Sequence, residues 1–383
     1  MRLRTLAVIS VVLLACGKAS RAPQALLSAT PEAMAQAQTP IAPTTSTVVP
    51  SSAGTAVNST VFGASAVALP GATGPVSTDY IAYDRQHGRV WVPVGDTGSA
   101  DVFELASNTF TRVDGFGTAE RTIRDRVRKL GPSAVAVGDG VAYIGNRATN
   151  EVCPVDEATL KLGPCLKLST PTDGVAYVAS TKEVWITTPR NQSLTVLDAS
   201  KPNSLRPHLV IKTPGEPEGY VVDETRGLFY TNLEDKNRTL MIDVRTHAIK
   251  ANWAAGCGDD GPRGVSIDSV RQFAFIACTS GVNVLDSGHD GSILGRLDAG
   301  AGVDNIDYLD STHSLYIAAA KAAKLTVARV DDRGHPSIVT TVVTVGGARN
   351  AVAGANGTVY LVDTAGARLM LFASRPPRSD ARP

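Results

Sequence analysis

Along most of the chain, apolar residues come in short runs broken by Gly, Asp, Asn and Pro, and few stretches keep helical spacing. Short apolar runs bounded by turn formers predict strands. Within them one pattern recurs: a small or aliphatic residue, an aromatic, then usually another aliphatic. It reads Val90-Trp91-Val92, Ala142-Tyr143-Ile144, Val184-Trp185-Ile186, Phe229-Tyr230-Thr231, Ala274-Phe275-Ile276, Leu315-Tyr316-Ile317 and Val359-Tyr360-Leu361. The central aromatics are spaced by 52, 42, 45, 45, 41 and 44 residues. A period of about 40–50 residues built from short strands predicts the blades of a β-propeller.

Each unit shares further marks. A turn precedes the aromatic strand, as in Asp84-Arg85-Gln86-His87-Gly88, Asp223-Glu224-Thr225-Arg226-Gly227 and Asp310-Ser311-Thr312-His313. A third strand ends in an aliphatic pair and Asp, as in Val196-Leu197-Asp198, Met241-Ile242-Asp243 and Val284-Leu285-Asp286. A fourth strand then leads to a Gly/Pro connection. The expectation is an all-β, seven-bladed propeller of four-stranded antiparallel blades. After Tyr360 only one more strand remains, so the last blade lacks a member. A ring left open exposes sheet and blade faces. Residues 64–69, followed by Pro70-Gly71, read as the missing fourth strand, closing the seventh blade from the N-terminal side. The alternative is a six-bladed ring with a loose N-terminal strand.

These marks resemble the YVTN-repeat family of β-propellers. Tyr230-Thr231-Asn232 stands nearest the family's eponymous sequence, and Pro214-Gly215-Glu216-Pro217-Glu218-Gly219 and Gly261-Pro262-Arg263-Gly264 match its inter-blade segment. The resemblance covers residues 79 to about 374 and is specific for fold rather than function. No Trp-Asp dipeptide occurs, which disfavours the WD type.

Ahead of the repeats, Arg2 and Arg4 precede an apolar run over residues 6–14, too short to span a bilayer and suited to a signal peptide. Leu13-Leu14-Ala15-Cys16 resembles a bacterial lipobox, which implies cleavage after residue 15 and lipidation of Cys16; an ordinary signal peptide with an incidental cysteine is the alternative. In lipoproteins of this kind Asp after the cysteine favours inner-membrane retention. Here Gly17 and Lys18 follow, which implies, for a cell with two membranes, the outer one, facing periplasm or cell surface. Residues 16–58, rich in Ala, Pro, Ser, Thr and Gln, cannot bury enough apolar surface to offset their chain entropy. They read as a flexible tether with a reach of about 35–40 Å. The propeller is expected over 59–374 and a disordered tail over 375–383.

Composition narrows the function. The chain has 383 residues, 43% hydrophobic, with 19% charged and a net charge of +1. That gives material for a large core and no general electrostatic reason to expect nucleic acid. No dinucleotide fingerprint or haem-attachment motif is present, so no cofactor is expected.

Export permits disulfides. Cys153 in a third strand and Cys165 in the fourth lie symmetrically about a turn at Thr159, and Cys257 in a connection lies on the same ring face as Cys278 at a strand end. The expected bridges are Cys153 with Cys165 and Cys257 with Cys278. All six histidines (His87, His208, His247, His289, His313, His335) map to turns or an outer strand, away from the channel, so no His-based metal site and no His general base are expected in this protein.

Aligning the connections brings one residue per blade to the channel mouth: Asp79, Ser133, Asp173, Glu218, Arg263, Asp304 and Arg349, with Asn305 and Asn350 following. Four carboxylates and two arginines around a narrow mouth suit a small polar ligand, a cation or ordered water. The insertion over 120–130 places Ile123, Val127 and Leu130 at helical spacing with Arg121, Arg124, Arg126, Arg128 and Lys129 elsewhere, predicting a short basic helix over that face. Asp259-Asp260-Gly261 and Asp331-Asp332 read as turn chemistry. The functional expectation is a monomeric, non-catalytic binding or protein-interaction module, with an envelope protein or small polar ligand as partner and no membrane contact beyond the lipid. The alternative is a lactonase-like or lyase-like enzyme with a carboxylate site at the channel, since propellers resembling this one include such enzymes. A third option, a subunit beside a redox partner, finds no motif.

Overall fold

The computed structural model describes residues 61–375, apart from 124 and 202–203. The expected signal peptide, Cys16, the tether and the tail beyond 375 lie outside the described residues.

Seven four-stranded antiparallel sheets form the predicted blades. Their innermost strands are Ala82–Asp84, Pro132–Gly138, Val175–Val178, Pro217–Asp223, Pro262–Asp268, Val303–Leu309 and Arg349–Ala353, in blades 1 to 7. Each blade runs outward in sequence order. The exception is blade 7, where the N-terminal strand Val61–Ala68 takes the outermost place beside Arg368–Arg375. Ala66 pairs with Met370 there, so the ring closes as expected, with the strand beginning three residues earlier than read from sequence.

The aromatic strands are the second in each blade. Because neighbouring blades cover both faces, strands such as Val141–Asn146, Glu183–Thr188 and Phe273–Cys278 are buried at every position and lose the alternation of a half-exposed strand. Trp91, Trp185, Tyr143, Tyr230, Phe275, Tyr316 and Tyr360 are all at most 4% exposed. They fill the wedges between blades: Trp185 lies 4.7 Å from Phe229, Tyr143 5.4 Å from Tyr177, and Tyr360 6.1 Å from Tyr83 across the closure. Fourth strands face solvent on one side, and Ile249–Ala254 alternates accordingly.

Polar latches join the blades at the end of the ring opposite the connections. Asp223 and Asp268 close their turns and each orients an arginine three residues on. Arg226 donates to Ser287 Oγ at 2.9 Å, and Arg271 to the Val330 carbonyl at 3.0 Å, each in the next blade.

Both expected disulfides are present. Cys153–Cys165 holds the shortest outer strand, the two residues Leu166–Lys167, where Gly163-Pro164 shortens the ladder because proline has no N–H to donate.

The insertion is not the expected helix. It is a hairpin of Ala119–Ile123 and Arg126–Leu130, with Thr122 opposite Val127. β-branched residues at Thr122, Ile123 and Val127 suit a strand, and Asp125 accepts the left-handed turn at φ 59°. Val127 is 69% exposed, so the apolar spacing does not mark a buried helical face.

Candidate functional site

The innermost strands run parallel around the axis. Tyr80 and Ala134 form a parallel bridge, and the amides of Asp79 and Tyr80 both donate to the Ser133 carbonyl, at 3.1 and 2.9 Å. Equivalent positions therefore sit at equal depth. The predicted residues Asp79, Ser133, Asp173, Glu218, Arg263, Asp304 and Arg349 share the level where each connection enters its innermost strand.

One level deeper, the second position is glycine in three consecutive blades. A Cβ on Gly219 would lie 2.2 Å from the Arg263 carbonyl, and one on Gly174 would lie 1.9 Å from the Tyr220 ring. Glycine there lets adjacent inner strands and an aromatic crowd the axis. Tyr220 hydrogen-bonds the Val175 carbonyl at 2.7 Å and its ring stands 5.1 Å from Tyr80, so blades 1 and 4 meet across the channel just beneath the mouth. From this pair a cavity of about 470 Å³ continues along the strands toward Tyr83, Tyr177, Asp307 and Val352. No histidine lines it.

The mouth charges are organised by a residue the sequence did not single out. Arg147, directly after the second strand of blade 2, donates through one nitrogen to both Asp79 and Asp173. Arg349 donates to Asp304 Oδ2 at 2.5 Å and to Asp79 Oδ1 at 3.2 Å. Arg263 turns aside to Glu234, which directly follows the second strand of blade 4. A charged residue immediately after a second strand is the sequence signal for both missed members.

Burial pulls every mouth carboxyl upward in pKa, since it disfavours the charged form. For Asp79 the two guanidinium groups outweigh it and hold the pKa below the ordinary value. For Asp173 burial wins over Arg147, and for Asp304 over Arg349, so both are raised. Glu218 is raised well above the usual range by burial and then by the charges of Asp173 and Asp79. Deeper in the cavity, burial pushes Asp307 to about 6 against the amides of Ala353 and Tyr308 that it accepts.

Five buried polar atoms at or beside the mouth lack a protein partner: Thr78 Oγ1, Ser133 Oγ, Thr172 Oγ1, Asp173 Oδ2 and Asn350 Nδ2. Buried polar atoms seek a partner, and water or a polar ligand serves. Each of the three aspartates nonetheless accepts from an arginine, Asp173 through Oδ1 alone, so the mouth does not present four free carboxylates to a cation.

The histidines sit where expected with respect to the channel, but two of the neighbourhoods were not foreseen. Glu183, His208 and His247 converge between blades 3 and 4, and Asp84, His87 and Glu157 between blades 1 and 2, the ligand atoms of each set within 4.8 Å of one another.

No protein-family model matches the chain. Among solved structures it is similar to a streptogramin B lyase at 10% identity, covering 82% of this chain and 98% of that one with a TM-score of 0.65. It is similar to the RRP9 WD40 repeats at 8% identity, covering 81% and 97%, TM-score 0.65. It also resembles the Kuenenia stuttgartiensis hydrazine synthase at 13% identity, covering 80% and 99%, TM-score 0.64. At these identities the likeness establishes the seven-bladed fold alone.

Proposed function

We propose that this protein is a non-catalytic recognition module of the bacterial envelope, a YVTN-type propeller lipidated at Cys16 and carried on the 16–58 tether. Its partner engages the ring face that holds the mouth. The observation that carries this reading is the double engagement of Asp79 by Arg147 and Arg349. A charge set locked in mutual pairs is poor at holding a catalytic metal and suited to presenting a fixed polar surface. The hairpin Ala119–Leu130 stands within a connection, hence at the same end of the ring, and carries exposed Arg121, Arg128, Lys129 and Val127. Basic side chains around an exposed aliphatic fit an acidic protein surface. WD40 repeats and a lyase share the fold, so the fold is compatible with either class.

The test is affinity capture from detergent-solubilised envelope with the wild type and an Arg121→Glu/Arg128→Glu/Lys129→Glu variant. A protein held by the first and lost by the second supports the reading. Capture of the same proteins by both refutes it.

A second reading, an enzyme of the lyase or hydrolase kind, draws on Glu218. An acid with a raised pKa beside the carboxylate Asp173 and the cation Arg147 is a general acid–base arrangement. Turnover in a lyase or lactonase screen that vanishes in Glu218→Gln would establish it in place of the first.

A further inference from the structure

We propose that Glu183, His208 and His247 form a binding site for a zinc-class divalent cation, seated between blades 3 and 4 on the ring's outer side, remote from the mouth.

Each ligand comes from a different local structure. Glu183 opens the second strand of blade 3, and His208 lies in that blade's outer strand Arg206–Lys212. His247 sits in the turn between the third and fourth strands of blade 4. That turn is built to hold it: Asp243 accepts from the amide and hydroxyl of Thr246, and His247 itself takes the left-handed conformation at φ 58°.

The carboxylate is fixed from behind. Glu183 Oε2 accepts from Trp185 Nε1 at 3.0 Å and Thr181 Oγ1 at 2.9 Å. Such outer hydrogen bonds orient a metal-binding carboxylate. The His247 ring stacks on Trp185 at 5.5 Å and meets His208 edge-on at 5.7 Å. The Glu183 side chain is 8% exposed, and the ion-pair partners it has among the described residues are these two histidines.

Both His–Glu separations fit coordination, and the three ligand atoms all lie within 4.8 Å of one another. His247 Nε2 is 3.2 Å and His208 Nε2 3.4 Å from Glu183 Oε1. Two ligands on a tetrahedral zinc, each about 2.0–2.1 Å from the ion, stand about 3.3–3.4 Å apart. Two nitrogens and one oxygen suit Zn²⁺ or Co²⁺ over Mg²⁺ or Ca²⁺, which take oxygen sets. Three protein ligands leave a fourth position, and His208, at 45% side-chain exposure, leaves the site reachable from solvent. The second cluster is a weaker candidate, because it offers one nitrogen beside two carboxylates.

The test uses chelator-stripped, purified full-length protein titrated with ZnCl₂ by calorimetry and with CoCl₂ by visible absorption. The wild type is expected to bind one Zn²⁺ per chain at this site, to show the d–d bands of low-coordinate Co²⁺, and to unfold at a higher temperature with Zn²⁺. His208→Asn and His247→Asn should each bind at least about tenfold more weakly. His335→Asn should match the wild type. Metal-free melting of each variant checks the fold, and half-exposed His208 makes His208→Asn the variant that keeps it. The proposal is overturned if the wild type binds no Zn²⁺. It is equally overturned if a folded His208→Asn/His247→Asn variant keeps wild-type affinity, or if binding is lost in His87→Asn and kept in His208→Asn.

Discussion

Arg349, in the last blade, lies 3.2 Å from Asp79, at the entrance to the first, so the seam where the ring closes is bridged by an ion pair at the channel mouth. The same seam is held further out by the strand Val61–Ala68 in blade 7. The two ends of the domain are thus joined both at the axis and at the periphery.

The closing strand should matter more than its exposure suggests. Successive residues of a strand point their amides to opposite sides, so prolines at both Ser65 and Ala66 must remove at least one ladder donor toward Leu371 or Met370. The Ser65→Pro/Ala66→Pro variant is expected to lose about 3 kcal/mol or more, measured by urea unfolding. Wild-type stability would mean that blade 7 does not need its N-terminal strand.

Arg147→Ala should be far more harmful than Arg263→Ala. It strips the shared cation from Asp79 and Asp173, and while Asp79 keeps Arg349, Asp173 is left without an arginine. Removing one partner of a buried pair costs about 3–5 kcal/mol. Arg263 shares one carboxylate, Glu234, which is a third exposed. Denaturation midpoints of the two variants at neutral pH check the order.

Asp307 should make stability depend on pH. Its folded pKa of about 6 exceeds the unfolded value, so its contribution is fully present below about pH 4 and is lost as pH rises through 6. Asp307→Asn should remove up to about 2–3 kcal/mol of that dependence. Unfolding free energy of both forms between pH 4 and 8 is the measurement, and parallel curves would exclude the effect.

Cys153→Ser/Cys165→Ser should destabilise by about 3 kcal/mol, the loop-closure value for a bridge spanning 12 residues. The loss should concentrate in blade 2, whose outer strand has two ladder residues. Hydrogen exchange at Leu166 and Lys167 should rise first.

The architecture was legible because its causes are local and repeated. Wedges between blades require a bulky side chain at one strand position per unit, and Trp91 through Tyr360 record that requirement at nearly constant spacing. The missing strand after Tyr360 and both cysteine pairings followed from the same count. The mouth positions from Asp79 to Arg349 were readable too, because parallel inner strands put equivalent residues at one depth.

What those residues do to one another was settled only by the tertiary structure. Arg147 meets Asp79 across 68 residues and Asp173 across 26, and His247 meets Glu183 across 64. The basic insertion became a hairpin because helical spacing of three aliphatics carries meaning only if a surface exists to bury them, and Val127 finds none. The apolar pattern is a property each strand carries by itself, whereas pairing between charges depends on where the ring's curvature brings separate blades together.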